Sequence, residues 1–312
     1  MVTRRRRIWA RMFGTGLVLW LLTVVVTYLT ANPNLVPTLV LLGAFLMPVS
    51  FVAWAFEQRT TGEVTAALLF QTFVVGGVLG VLAASLLESY LLHPSVLLFL
   101  GVGLIEEAVK LAALAVLTRG LRVKTPQDGM ILGACVGLGF AAFESAGYAL
   151  TAALTEHGLS LTDLVLTELV RGVVTPFGHG VWTAILGGVL FSRSGRERYV
   201  LTGSLLAAYL GVSALHALWD SMHSFAVLIA LALTQPDWSA AETPGWIIDP
   251  TPEQVLLVTV LTWVGLALVA AVGVVWLLAL IAAYRLPVAA ARRQYAIPTR
   301  GRWWPGGRPP PW

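Results

Sequence analysis

Charge is scarce in this chain. Only 12% of its 312 residues are Asp, Glu, Lys or Arg, while 57% are hydrophobic. A water-soluble domain carries about twice that charge fraction, so a solvated globule is excluded. A single cysteine, Cys135, excludes an internal disulfide framework, and its place in an apolar run reads as a small packing residue. There is no H-E-x-x-H pair, no G-x-S-G serine motif and no G-x-G-D aspartyl motif on an apolar segment. The net charge of +4 is spread over short loops and tails and is no nucleic-acid signature.

What the sequence has instead is long apolar runs. They predict an all-α, polytopic helical bundle of about eight spans, roughly 12–31, 36–56, 66–87, 95–118, 129–152, 169–191, 200–221 and 255–284. Residues 222–234 are too short for another span; they either lengthen the seventh helix or form a re-entrant piece. The basic residues set the orientation. Eighteen of the 20 Lys and Arg fall in the N-terminal stretch, in three alternate loops (59; 119–124; 193–198) and in the C-terminal tail. The opposite loops hold no Lys or Arg. By the positive-inside rule both termini are cytoplasmic. Residues 1–11 then form a basic N-terminus, 12–284 the helical domain, and 285–312 a basic Pro-, Gly- and Trp-rich tail whose composition predicts disorder. The first span is longer than a signal-peptide core and is followed by no small-x-small cleavage site, so it reads as an uncleaved anchor.

The two remaining cations, Lys110 and Arg171, lie inside spans, together with several acids and histidines. A charge in hydrocarbon costs several kcal/mol without a partner, so each such residue is a functional candidate. The fourth span carries Glu106, Glu107 and Lys110; the fifth, Glu144; the sixth, Arg171 and His179; the seventh, His216 and Asp220. At about 1.5 Å per residue from the cytoplasmic ends, Glu106, His179, Glu144 and His216 come out about 18–24 Å up, in one layer. Lys110 is i,i+4 from Glu106 and i,i+3 from Glu107; it is expected to neutralise one and leave the other available. His216 and Asp220 are i,i+4, so Asp220 can orient the imidazole. Arg171 is expected to snorkel or to pair with Glu168. Glu88, His93 and His157 read as solvated interface or loop residues. Pro176, with Gly178 and Gly180 around His179, predicts a broken helix. Gly133 and Gly137 predict close packing beside the polar layer.

Carboxylates and imidazoles without a nucleophile point to activation of water. Glu106 or Glu107 can act as general base. His179 and His216 can stabilise an oxyanion or hold a metal. Glu144 and Asp220 can orient water or the histidines, or complete a metal shell. His179, His216 and Glu144 form a donor set that suits Zn2+, and a metal-free glutamate-type hydrolase is open beside it. Two other classes fit the same residues: a proton-coupled transporter or channel, whose relays also use buried Glu and His, and a catalytically silent membrane scaffold.

The order of these residues resembles a known family. "EEAVK" (Glu106, Glu107, Lys110) matches E-E-x-x-K, "FAAFE" (Phe140, Glu144) matches F-x-x-x-E, and "HALWD" (His216, Asp220) matches H-x-x-x-D, with His179 between the last two. The set is similar to the PrsW family of intramembrane proteases, distant relatives of the type II CAAX prenyl proteases, and the resemblance covers about 100–223. It implies a bacterial cytoplasmic-membrane endopeptidase acting on membrane-protein substrates, some members in site-1 cleavage of anti-sigma factors. The family usually has Asn after the glutamate of F-x-x-x-E; this chain has Ser145, a smaller hydrogen-bonding group.

Overall fold

The computed structural model describes residues 7–58, 62–156, 158–194, 198–234, 247 and 249–294. Helices dominate it: α1 Ile8–Thr30, α2 Val36–Glu57, α3 Ala66–Leu91, α4 Leu98–Thr118, α5 Pro126–Ala153, α6 Leu161–Val174, α7 His179–Arg193, α8 Gly203–Thr234 and α9 Pro252–Gln294. A 3-10 turn, Thr175–Phe177, joins α6 to α7, and a two-residue antiparallel ribbon pairs Leu154 with Leu159 and Thr155 with Gly158. An apolar solvent explains this economy. Backbone N–H and C=O groups must be satisfied within each segment, and the helix does so.

Polar residues mark the starts. Thr125 accepts from the Asp128 N–H with Pro126 following, and Ser160 accepts from the Asp163 N–H. These caps satisfy N–H groups that have no partner in the first turn. Among the described residues, seven segments are long and apolar enough to cross a membrane: Ile8–Thr30, Pro33–Glu57, Ala66–Leu91, Pro126–Ala153, Leu161–Arg193, Gly203–Thr234 and Pro252–Tyr284. Helix α4 is 21 residues long, but Glu106, Glu107 and Lys110 lower its apolarity. It is the expected fourth span, and composition alone does not mark it as one.

One span boundary shifts, one open alternative is decided, and the last helix is longer than the expected span. The sixth span starts at Leu161, not near 169, because Asp163 and Glu168 depress its hydropathy; Glu168 is buried and accepts a hydrogen bond from Trp20 Nε1 at 2.7 Å. Residues 222–234 continue α8 without a break. Helix α9 runs on to Gln294, ten residues into the expected tail; residues 295–312, like His157, lie outside the described residues.

Helix α5 is the centre, with 83% of its apolar window buried against 11% for α1. It packs on α2, α3, α4, α6 and α7. Glycine makes this possible. A Cβ on Gly133 would strike the Thr183 carbonyl, one on Gly137 the His179 carbonyl, and one on Gly129 the Gly187 carbonyl. The stripe at spacing four lets α7 lie backbone to backbone on α5. On the α3 face, a Cβ on Gly139 would strike the Phe73 carbonyl. Gly103 does the same for α8: a Cβ there would stand 2.6 Å from the Ser213 carbonyl and 3.3 Å from the His216 Cβ. Gly137→Val is therefore expected to cost about 1–3 kcal/mol of stability, the usual penalty of overpacking. It should also displace His179, so detergent-solubilised protein should unfold at lower temperature and lose activity. A melting temperature equal to that of the parent would contradict this packing.

Candidate active site

Each ionisable side chain reaches one cluster from its own helix. Lys110 is completely buried on α4. Its Nζ donates to Glu106 Oε2 at 2.9 Å and to Glu107 Oε1 at 2.9 Å, one helical turn away on the same face. The ammonium therefore bridges both carboxylates; the expected split into one paired and one free acid does not occur. Nζ also lies 2.8 Å from His179 Nδ1, and 4.0 Å from the centre of the Phe140 ring. An ammonium has only donors, so Nδ1 must accept. The ring proton of His179 then sits on Nε2, which donates to Glu144 Oε2 at 3.1 Å.

Glu144 is itself held. Arg171 Nη2 donates to its Oε2 at 2.6 Å, and Arg171 Nε donates to Ser145 Oγ at 2.8 Å. The expectation that Arg171 pairs with Glu168 or snorkels is corrected. Its charge has a carboxylate one helix away, and Glu168 is occupied by Trp20. Ser145, the departure from the family pattern, serves as an acceptor.

His216 lies on the other side of the acids. Its Nδ1 is 3.0 Å from Glu107 Oε1. Its Nε2 is 3.3 Å from Asp220 Oδ2 and 3.6 Å from Glu106 Oε2. Asp220 thus stands where the i,i+4 spacing placed it. A neutral imidazole that donates from Nδ1 to Glu107 points its Nε2 lone pair at two carboxylate oxygens. That arrangement is repulsive unless a cation, either a proton or a metal ion, lies between them.

Glu106, His179 and His216 each offer one ligand atom, and all three atoms lie within 4.8 Å of one another. The carboxylate of this group is Glu106, where the sequence suggested Glu144; Glu144 lies against His179 Nε2 and Arg171. Two imidazoles and one carboxylate are a hydrolytic metal's donor set with a coordination position left open. The charge count agrees. Four carboxylates (Glu106, Glu107, Glu144 and Asp220) face two fixed cations, Lys110 and Arg171. With both imidazoles neutral the cluster is two negative charges in excess, which a divalent ion balances. Glu107 Oε2 is buried without a hydrogen-bond partner among the described residues.

The sequence profile of the PrsW family intramembrane metalloproteases matches residues 5–240. The chain belongs to that family. It is an intramembrane protease and a multi-pass membrane protein. No curated protein and no solved structure matches it in the corresponding comparisons.

For a PrsW-family protease the helical break has a plain use. The last turn of α6 gives way to Thr175–Phe177, and α7 starts at His179 itself. Pro176 lacks an N–H, so the regular ladder stops one turn before the histidine. The imidazole is thereby placed at a helix start. Aromatic rings wall the two histidines: Trp182 stands 4.8 Å from His216 and 5.6 Å from His179, centroid to centroid, and Phe140 5.4 Å from His179. Trp182 was not singled out by sequence reasoning, although it follows His179 by one helical turn. Glu88 was misread as solvated: its Oε1 is buried.

Proposed function

We propose that the protein hydrolyses peptide bonds of single-span membrane proteins, of the anti-sigma type that the resemblance implies, in a bacterial cytoplasmic membrane. Glu107 acts as general base, while Glu106, His179 and His216 hold a Zn2+ ion. The observation that carries this reading is the convergence of those three ligand atoms, from three helices, within 4.8 Å. When bound, zinc supplies a Lewis acid that lowers the pKa of its water and polarises the scissile carbonyl.

The chain's own groups do the rest. Glu107 Oε2, without a hydrogen-bond partner among the described residues, accepts the proton of the attacking water and returns it to the leaving nitrogen. Its Oε1 is held by Lys110 and His216, so the carboxylate cannot rotate away. Lys110 donates to both carboxylates, and with His179 Nδ1 serving as a ligand it would keep those two bonds. Glu107 fixes the plane of the His216 ring through Nδ1, Asp220 stands beside its Nε2, and the Arg171–Glu144 pair fixes the plane of His179.

The test is elemental analysis with cleavage of a co-reconstituted single-span protein. About one zinc per chain is expected, with cleavage lost to chelator and restored by zinc. Glu106→Gln and His216→Ala should each lower the metal content and the cleavage together. Full activity in chelator with no bound metal would overturn the metal and leave a glutamate-type hydrolase.

A further inference from the structure

Glu88 is a half-buried acid that the proposed chemistry does not use. It lies in the last turn of α3, a helix packed against both α4 and α5. Its side chain is half-buried, and its Oε1 is sealed from solvent with no hydrogen-bond partner among the described residues. A sealed acceptor without a donor is costly, and such groups normally find one.

Its surroundings make the deficit sharper. The carboxylates of Glu106 and Glu144 lie within electrostatic reach of it, as do His216 and Lys110. It also sits at a helix C-terminus, where the macrodipole disfavours an anion, and the last turn of α3 has no basic residue. The fixed cations of the layer are committed: Lys110 to Glu106 and Glu107, Arg171 to Glu144. By the positive-inside reading α3 ends on the extracytoplasmic side, whose loops contain no Lys or Arg at all. Among the described residues no Lys or Arg pairs with Glu88.

We propose that Glu88 is a specificity-determining residue: it pairs with a Lys or Arg side chain on the extracytoplasmic flank of the substrate's cleaved segment. Every feature that disfavours the lone carboxylate is reversed by that partner. A cation supplies the missing donor to Oε1, offsets Glu106 and Glu144, and suits the helix C-terminus. Partial exposure leaves a way in. The inference rests on the protease reading above, because it assigns Glu88 to the recognition of that enzyme's substrate.

The experiment uses the full chain in detergent and three synthetic single-span peptides that differ only in carrying Lys, Ala or Glu at the outer flank, scanned over five consecutive positions. At one position the parent should prefer Lys over Ala by about tenfold in kcat/KM, and Glu should be the poorest, as one recognised charge pair allows. Glu88→Gln should bring the Lys-to-Ala ratio close to one, and Glu88→Lys should reverse the order so that the Glu peptide leads. The same ratios should appear in equilibrium binding of fluorescent versions of these peptides. An unchanged Lys preference in both variants overturns the proposal, as does equal loss of all three substrates without a change in ratio. Binding that keeps its Glu88-dependent charge preference while the parent cleaves nothing condemns the protease reading alone. Binding without preference condemns the role of Glu88.

Discussion

Glu107→Gln is expected to lower kcat/KM for a membrane-protein substrate by about a thousandfold, the range of a lost general base. The substitution keeps the shape of the side chain and one oxygen. It removes the charge that takes up the proton of water. In the proposed arrangement Glu107 is not a metal ligand, so the variant should retain zinc at the parental level. That separates it from Glu106→Gln, in which metal and cleavage fall together. The comparison needs elemental analysis, a cleavage assay, and size-exclusion chromatography to establish that the variant is folded. Cleavage by the zinc-loaded Glu107→Gln protein within tenfold of the parent would remove Glu107 from the role of base.

Lys110→Met should carry the largest stability cost in the molecule. Lys110 is fully buried and holds Glu106 and Glu107 together at 2.9 Å each. Removing one partner of a buried ion pair leaves uncompensated charge and costs about 3–5 kcal/mol. For a chain of this size that corresponds to a fall in melting temperature of roughly 10 °C. The phenyl ring of Phe140, 4.0 Å from Nζ, loses its cation as well. Lys110→Arg should not rescue it, because the planar guanidinium needs room that a fully buried ammonium site lacks. If the deficit is electrostatic, the double variant Glu107→Gln/Lys110→Met should melt above the sum of the two single effects. Strict additivity of the two losses would show that the pair is not coupled and that Lys110 matters only as packing.

Much of the site is legible along the chain because it is built from helical repeats. Glu106 and Lys110, Glu107 and Lys110, and His216 and Asp220 are neighbours one turn apart, and the distances of 2.9, 2.9 and 3.3 Å follow from that spacing. The shared depth of four helices is legible too, since every span is measured by the same bilayer. The glycine stripe of α5 announced close packing, and it carries α7. Other pairings had no local signal. Arg171 pairs with Glu144, 27 residues away, and Trp20 with Glu168, 148 residues away. A one-turn error in either span boundary would have exchanged these partners. Glu88 was misread because a residue three short of a helix end looks solvated until the neighbouring helices are in place.

The sequence by itself determined that the chain lives in the bilayer, which residues are too costly to leave there without a purpose, and which family they belong to. Those conclusions rest on hydropathy, charge placement and spacing within single helices. The tertiary structure alone decided that Glu106 stands with the two histidines and that Glu144 supports His179 from behind. These choices depend on the rotation of one helix against another. Contacts between distant glycines, carbonyls and rings set that rotation, and no single segment contains them.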